Sequence, residues 1–270
     1  MLNIFYGCRY LTSIDIPNSV TTIGKGSFAY TYLQSITIPT SVISIGNCAF
    51  QNCVGLTSVF IPHSVTSIGE FTFSGCSGLT SVEIPNSVTD IGNNAFENCR
   101  GLTAITLPNS LTNIGDQTFS GCDALTSVDI PNSVAKIGRY AFYRCYKLTS
   151  ITIPLSVTHI GDYAFSGCSA LKSIVSKITE PFDIIDNVFE NLYTKAQLTV
   201  PQGCIDKYKK AKGWKNFKYI AEGPEGIRLI TVKQNSDAIW YNLQGRKVST
   251  PEKGISIIRY KDGTTKKVMK

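Results

Sequence analysis

Two histidines, two methionines and two tryptophans are all that this 270-residue chain contains. With only His63 and His159 available, far apart in the sequence, a histidine-built metal centre is excluded. Charged residues are scarce at 17%, against 43% hydrophobic, a balance that argues for a buried core and against a disordered chain. No apolar run approaches the roughly 18 residues of a membrane-crossing helix, so no transmembrane segment is expected, and Met1 to Tyr10 does not read as a signal peptide. No Cys-x-x-Cys pair, phosphate-binding loop or G-x-S-x-G elbow is present. "GKGSFA", Gly24 to Ala29, mimics a dinucleotide-binding loop, but that loop needs a full helix behind it, and Gly24 belongs to a pattern repeated throughout the chain. The expectation is a non-enzyme without cofactor or metal.

What is present is a repeat. Leucine recurs at positions 11, 33, 56, 79, 102, 125, 148 and 171, spaced 22 once and 23 thereafter, and each copy opens the unit L-x-x-I-x-I-P-x-S-V-x-x-I-G-x-x-A-F-x-x-C. A fixed period of this length marks a solenoid. "NIFYGC" (Asn3 to Cys8) aligns with "NAFENC" (Asn94 to Cys99), so the chain opens midway through a unit and reads as a piece with further repeats upstream.

Each position has a physical reading. Leu79, Val82 and Ile84 turn inward from an extended segment and Glu83 outward. Pro85 lacks an N–H and stops ladder pairing, and Asn86-Ser87 supplies turn chemistry. Val88 and Ile91 bring a second side back to the axis, and Gly92 is expected to allow a backbone conformation closed to other residues. Ala95, Phe96 and Cys99 would share one face of a helical turn. Single units cannot bury their apolar face alone, so stability comes from stacking. The predicted class is an α/β solenoid with a parallel sheet on one face and short helical turns on another.

After Leu171 the pattern decays: "LKSIVS" lacks the proline, "VFENLY" puts Leu192 where cysteine stood, and the next strand-like segment begins at Leu198. Residues 1–220 are read as solenoid, with about 176–220 as a degenerate cap. In the cap, Ile205, Tyr208, Ala211 and Trp214 of a short amphipathic helix cover the stack. Residues 221–270 read as a small β-rich module, from Tyr241, Leu243, Ile255, Ile257 and the hairpin signal Asp262-Gly263. Residues 1–175 hold 8 Lys+Arg against 9 Asp+Glu, and residues 176–270 hold 18 against 10. The tail's lysines are scattered singly, so nucleic acid is not an expected partner.

Seven of the nine cysteines, Cys8, Cys53, Cys76, Cys99, Cys122, Cys145 and Cys168, fall at one phase and should form a buried column of free thiols. Cys48 and Cys204 lie outside it. For ligand contacts, outward residues of the array are the candidates. On the strand face these are Asp15, Phe60, Glu83 and Asp129, unless that row is a solvated ladder. The second candidate is "RYAFYRCYK", which leaves Arg139, Tyr140, Tyr143, Arg144 and Tyr146 facing outward, with Tyr163 one unit on. Tyrosine and arginine are the residues enriched at binding hot spots.

The copies of "LTSVEIPNSVTDIGNNAFENC" resemble the BspA-like leucine-rich repeat family of bacterial surface proteins. "GPEGIRLI", "IWYNLQGRKV" and "KGISIIRY" resemble small C-terminal β-modules that route or anchor surface proteins in some Gram-negative bacteria. The resemblance implies a secreted or cell-surface, outer-membrane-associated protein. It would be adhesin-like and bind a protein or glycan, host extracellular matrix included, with no catalytic residues to carry over. The alternative is a structural spacer with no ligand of its own.

Overall fold

In the coil that begins at Leu79, Ser81–Glu83 is a strand with Val82 buried and both neighbours exposed, as alternation of side chains across a pleat requires. It pairs in parallel with Ser58–Phe60 before it and Ala104–Thr106 after it. The same side continues further on as Ser150–Ile153, Ser173–Ser176, Gln197–Val200 and Tyr219–Glu222, again all parallel. In the computed structural model, residues 3–223 are described together with four later strands, Ile239–Tyr241, Lys247–Val248, Ile255–Arg259 and Thr265–Met269. The chain divides into two compact units, Met1–Gly226 and Ile227–Lys270.

The corner is built as expected. The carbonyl of Pro85 accepts the N–H of Val88 at 3.0 Å, and the bond recurs from Val65 to Pro62, Leu111 to Pro108 and Val134 to Pro131. Beyond it comes a second row of strands that the repeat pattern did not announce. Thr22–Ile23, Ser44–Ile45, Ser67–Ile68 and Asp90–Ile91 form one parallel sheet, and Asn113–Ile114, Lys136–Ile137 and His159–Ile160 another. The coils of Leu56, Leu79, Leu102 and Leu148 therefore carry strands on two sides.

The third side is not helical, which corrects the expected helical turns and with them the α/β label: the array is a β-solenoid. Along Asn94–Cys99 the N–H groups alternate. Those of Asn94, Phe96 and Asn98 donate to Asp116, Thr118 and Ser120 of the next coil, and those of Ala95, Glu97 and Cys99 donate back three residues. The alternation is possible because Asn94 and Asn98 adopt left-handed φ of 60° and 57°, which an α-helix forbids. Among the described residues, α-helix is confined to Ile205–Lys210.

Gly92 also has a different purpose from the one expected. It is absent from the left-handed glycines; instead, a Cβ there would lie 2.5 Å from the backbone nitrogen of Glu70. Close approach of neighbouring coils, not backbone freedom, demands the glycine.

Inside, one phenylalanine per coil forms a continuous stack. Phe28, Phe50, Phe73, Phe96, Phe119, Phe142 and Phe165 are buried, with successive centroids 5.3 to 5.7 Å apart and planes within 19°. The stack closes at Phe189, whose ring meets Trp214 at 5.5 Å. Trp214 and Tyr208 are fully buried, and their polar atoms are satisfied: Trp214 Nε1 donates to the Phe182 carbonyl and the Tyr208 hydroxyl to the Ile178 carbonyl, each at 2.9 Å. The cap is thus the expected short helix, shortened to Ile205–Lys210 and followed by a 3-10 turn at Trp214–Asn216.

The second unit is a four-stranded antiparallel sheet in the order Lys247–Val248, Ile239–Tyr241, Ile255–Arg259, Thr265–Met269. The readings of "GPEGIRLI" from Pro224 onward, of Leu243 and of Asp262-Gly263 lie outside the described residues.

Candidate ligand-binding surface

The outward face of the turn side carries the tyrosines. Tyr140 and Tyr163 sit at one phase of successive coils, and the coil spacing alone brings their rings to 5.0 Å and within 9° of parallel. Tyr143 meets Tyr140 edge-on at 5.3 Å and 86°, and the Arg144 guanidinium lies 4.9 Å from the Tyr143 ring centre. Stacked and T-shaped pairs are the favoured aromatic geometries, and arginine over tyrosine is a favoured cation–π contact. The four residues predicted from "RYAFYRC" and the following unit therefore form one cluster.

Its backbone is strained. Tyr140, Arg144 and Tyr163 adopt φ of 56°, 57° and 57°, a conformation that costs a residue with a Cβ roughly 1–2 kcal/mol. At the same phases some coils carry Asn94, Gly26, Asn98, Gly75, Gly121 and Gly167, which tolerate it, and others carry Tyr30, Cys48, Phe71 and Gln117 at the same left-handed φ. The left-handed backbone thus belongs to the turn side of the repeat, and what distinguishes Tyr140, Tyr143, Tyr163 and Arg144 is that their side chains pack into one outward cluster.

The other predicted residues fall elsewhere. Arg139 is exposed on the neighbouring corner, and Tyr146 is exposed beyond the cluster. Asp15, Thr37, Phe60, Glu83 and Thr106 form one register row on the first sheet, with Asp129 exposed at the same phase but outside any strand. Phe60 is 60% exposed in that otherwise polar row. This row and the tyrosine cluster are on different sides of the coil.

Two features were missed. Near the first coils, Tyr6 and Tyr30 stand 5.4 Å apart with Tyr32 also exposed; the phase of Tyr30 matches that of Arg144. On the second sheet, a shallow cleft of about 380 Å³ is lined by Asn93, Asn113, Asp116, Lys136, Arg139 and His159. It follows from the x-I-G-x pattern: the residue before isoleucine and the residue after glycine make two walls, and Gly115 and Gly138 make the floor. His159, read as a plain surface residue, is one wall. Among the described residues no group of His, Cys, Asp and Glu is arranged to hold a metal. The segment after Gly24 forms turns, not the helix a dinucleotide loop requires.

The geometry defines a coiled repeat scaffold that presents side chains in columns. The sequence model of the BspA type leucine rich repeat region matches residues 2–105 and 89–211 in six copies, so the chain belongs to that family. Among solved structures it is similar to a leucine rich cell surface protein from Faecalibacterium prausnitzii (29% identity, 64% of this chain and 62% of that one, TM-score 0.45). It is also similar to the T. pallidum leucine rich repeat protein (25%, 66% and 72%, TM-score 0.44) and to a leucine-rich repeat protein from Eubacterium ventriosum (22%, 82% and 68%, TM-score 0.46). The chain thus spans less than two thirds of the Faecalibacterium protein. All three TM-scores lie below 0.5, so the assignment rests on the repeat itself. No curated protein matches the chain.

Proposed function

We propose that this is a non-catalytic cell-surface repeat protein that binds a protein or glycan partner, adhesin-like, through the Tyr140–Tyr143–Tyr163–Arg144 cluster. The observation that carries the reading is the packing of Tyr140, Tyr143, Tyr163 and Arg144 into one aromatic and cationic cluster on the outward turn side. Tyrosine and arginine are the side chains enriched at binding hot spots. Membership of a surface-protein repeat family supports the location, and no helix among the described residues is long and apolar enough to cross a membrane. The four-stranded unit at the C-terminus is the proposed sorting or anchoring module.

The test is binding of the purified chain to an array of matrix proteins and glycans, beside a variant carrying Tyr140→Ala, Tyr143→Ala and Tyr163→Ala. A hit lost in the folded variant locates the site. A hit that survives in the variant moves the site off the cluster, and silence across the array favours a spacer.

A further inference from the structure

The cleft on the second sheet runs along the solenoid, because its walls are columns: Asn113, Lys136 and His159 on one side, Asn93, Asp116 and Arg139 on the other. Its hydrogen-bonding capacity is lopsided. Asn93 Oδ1 accepts the backbone N–H of Asp116 and Asp116 Oδ1 accepts that of Arg139, each at 2.8 Å. These two oxygens hold one coil to the next, and the amide groups of Asn93 and Asn113 donate to Glu70 and Thr112. The basic side chains are not so engaged: Lys136, Arg139 and His159 are exposed, and the ion pairs among the described residues, Arg100–Asp123 and Lys207–Glu180, involve none of them. Two cations and an imidazole therefore line the channel beside one carboxylate, Asp116, which holds the next coil through one of its two oxygens.

We propose that this groove binds a linear acidic polysaccharide, with Lys136 and Arg139 taking sugar carboxylates. Planar guanidinium on carboxylate is the strong, directional contact available here. A peptide is the poorer occupant. Peptide grooves offer apolar anchor pockets or an unpaired strand edge, whereas the one apolar lining residue, Ile114, is 2% exposed and the strands are paired with the neighbouring coils. A glycine floor admits a flat chain lying along the axis, and a polyhydroxylated chain matches the walls. The inference rests on the reading of the array as a binding scaffold, but its site is separate from the tyrosine cluster.

The experiment is calorimetric titration of the full chain with polygalacturonate, with neutral dextran and poly-glutamate as comparisons, repeated on Lys136→Ala/Arg139→Ala and on the triple tyrosine variant. The expected result is polygalacturonate binding, none to dextran, and an affinity about tenfold or more weaker when the two cations are removed. Both are exposed side chains, so the double variant should keep the wild-type unfolding transition. Absence of polygalacturonate binding, or binding indifferent to the double substitution, overturns the groove while leaving the tyrosine cluster to its own array test. Equal binding of poly-glutamate overturns the polysaccharide class, and loss of polygalacturonate binding only in the tyrosine variant moves the site off the groove.

Discussion

The thiol of Cys99 donates to the backbone carbonyl of Phe73, one coil earlier, at 3.1 Å. The contact repeats at 3.0 to 3.2 Å from Cys53 to Phe28, Cys76 to Phe50, Cys122 to Phe96, Cys145 to Phe119 and Cys168 to Phe142. The carbonyl of Phe73 also accepts the Cys76 N–H at 3.0 Å, so both its lone pairs are used. Where the column lacks cysteine, Thr31 fills the place and donates to Phe28 at 2.8 Å. The thiols serve as small apolar side chains that add a weak donor to the seam between coils.

Thiol reactivity follows from that placement. Cys53, Cys76, Cys99, Cys122, Cys145 and Cys168 have no exposed surface and Cys204 is buried, whereas Cys8 is exposed and Cys48 half-buried. A thiol reagent should titrate two groups in the native chain and all nine in denaturant. Rapid native reaction of more than two would show that the coils open far more readily than their packing implies.

Alkali should unfold the array. Burial holds the thiols of Cys76, Cys99, Cys122 and Cys145 well above the ordinary range, while in the unfolded chain they ionise near pH 8.5. Above that pH the unfolded state has released protons that the folded state still holds, so stability is full below about pH 8.5 and falls as pH rises. Each buried thiol contributes up to about 1.4 kcal/mol per pH unit to the slope. Urea midpoints should be level from pH 7 to 8 and drop steeply by pH 10; a level curve to pH 10 contradicts the buried column.

Gly92→Ala should destabilise by at least about 1–3 kcal/mol, the range for overpacking, because the added methyl would meet the backbone of Glu70 at 2.5 Å. Thr89→Ala, exposed on the same coil, should stay within about 0.5 kcal/mol. Denaturant midpoints of the two variants check the contrast. If close approach of the coils were not the reason for the glycine, alanine would be tolerated, since φ there is not left-handed.

These residues also mark what could be read from the sequence. Period, inward leucine and isoleucine, proline corner, cysteine column and cap helix follow from spacing and side-chain chemistry, and all are present, except that the buried column runs from Cys53 to Cys168 and leaves out Cys8, which is exposed in the first described turn. The second row of strands was hidden because it is two residues long, as at Asp90–Ile91, too short for alternation to register. The turn side was misread because Ala95, Phe96 and Cys99 fit helical spacing equally well. The contrary signal lay in the asparagines and glycines at the phases of Asn94 and Asn98, which permit left-handed backbone. The tyrosine cluster was legible because one phase places Tyr140 beside Tyr163. The groove was not, since it depends on which acceptors the backbone of the next coil consumes.

The same two phases provide a test that separates folding from function. Gln117 has a left-handed φ of 57° and enters none of the ring contacts, so Gln117→Asn should relieve strain and raise stability by roughly 0.5–1 kcal/mol. At Tyr140 the relief is opposed by loss of ring contacts worth about 0.5–1.5 kcal/mol, so Tyr140→Asn should change stability by less than about 1 kcal/mol. Phe96→Ala, by contrast, removes a fully buried ring from the stack and should cost about 3–5 kcal/mol. Urea unfolding of the three variants gives the ranking. A Tyr140→Asn loss approaching that of Phe96→Ala would make the tyrosine stack a structural brace. A near-neutral result leaves binding as the reason why a strained position carries tyrosine.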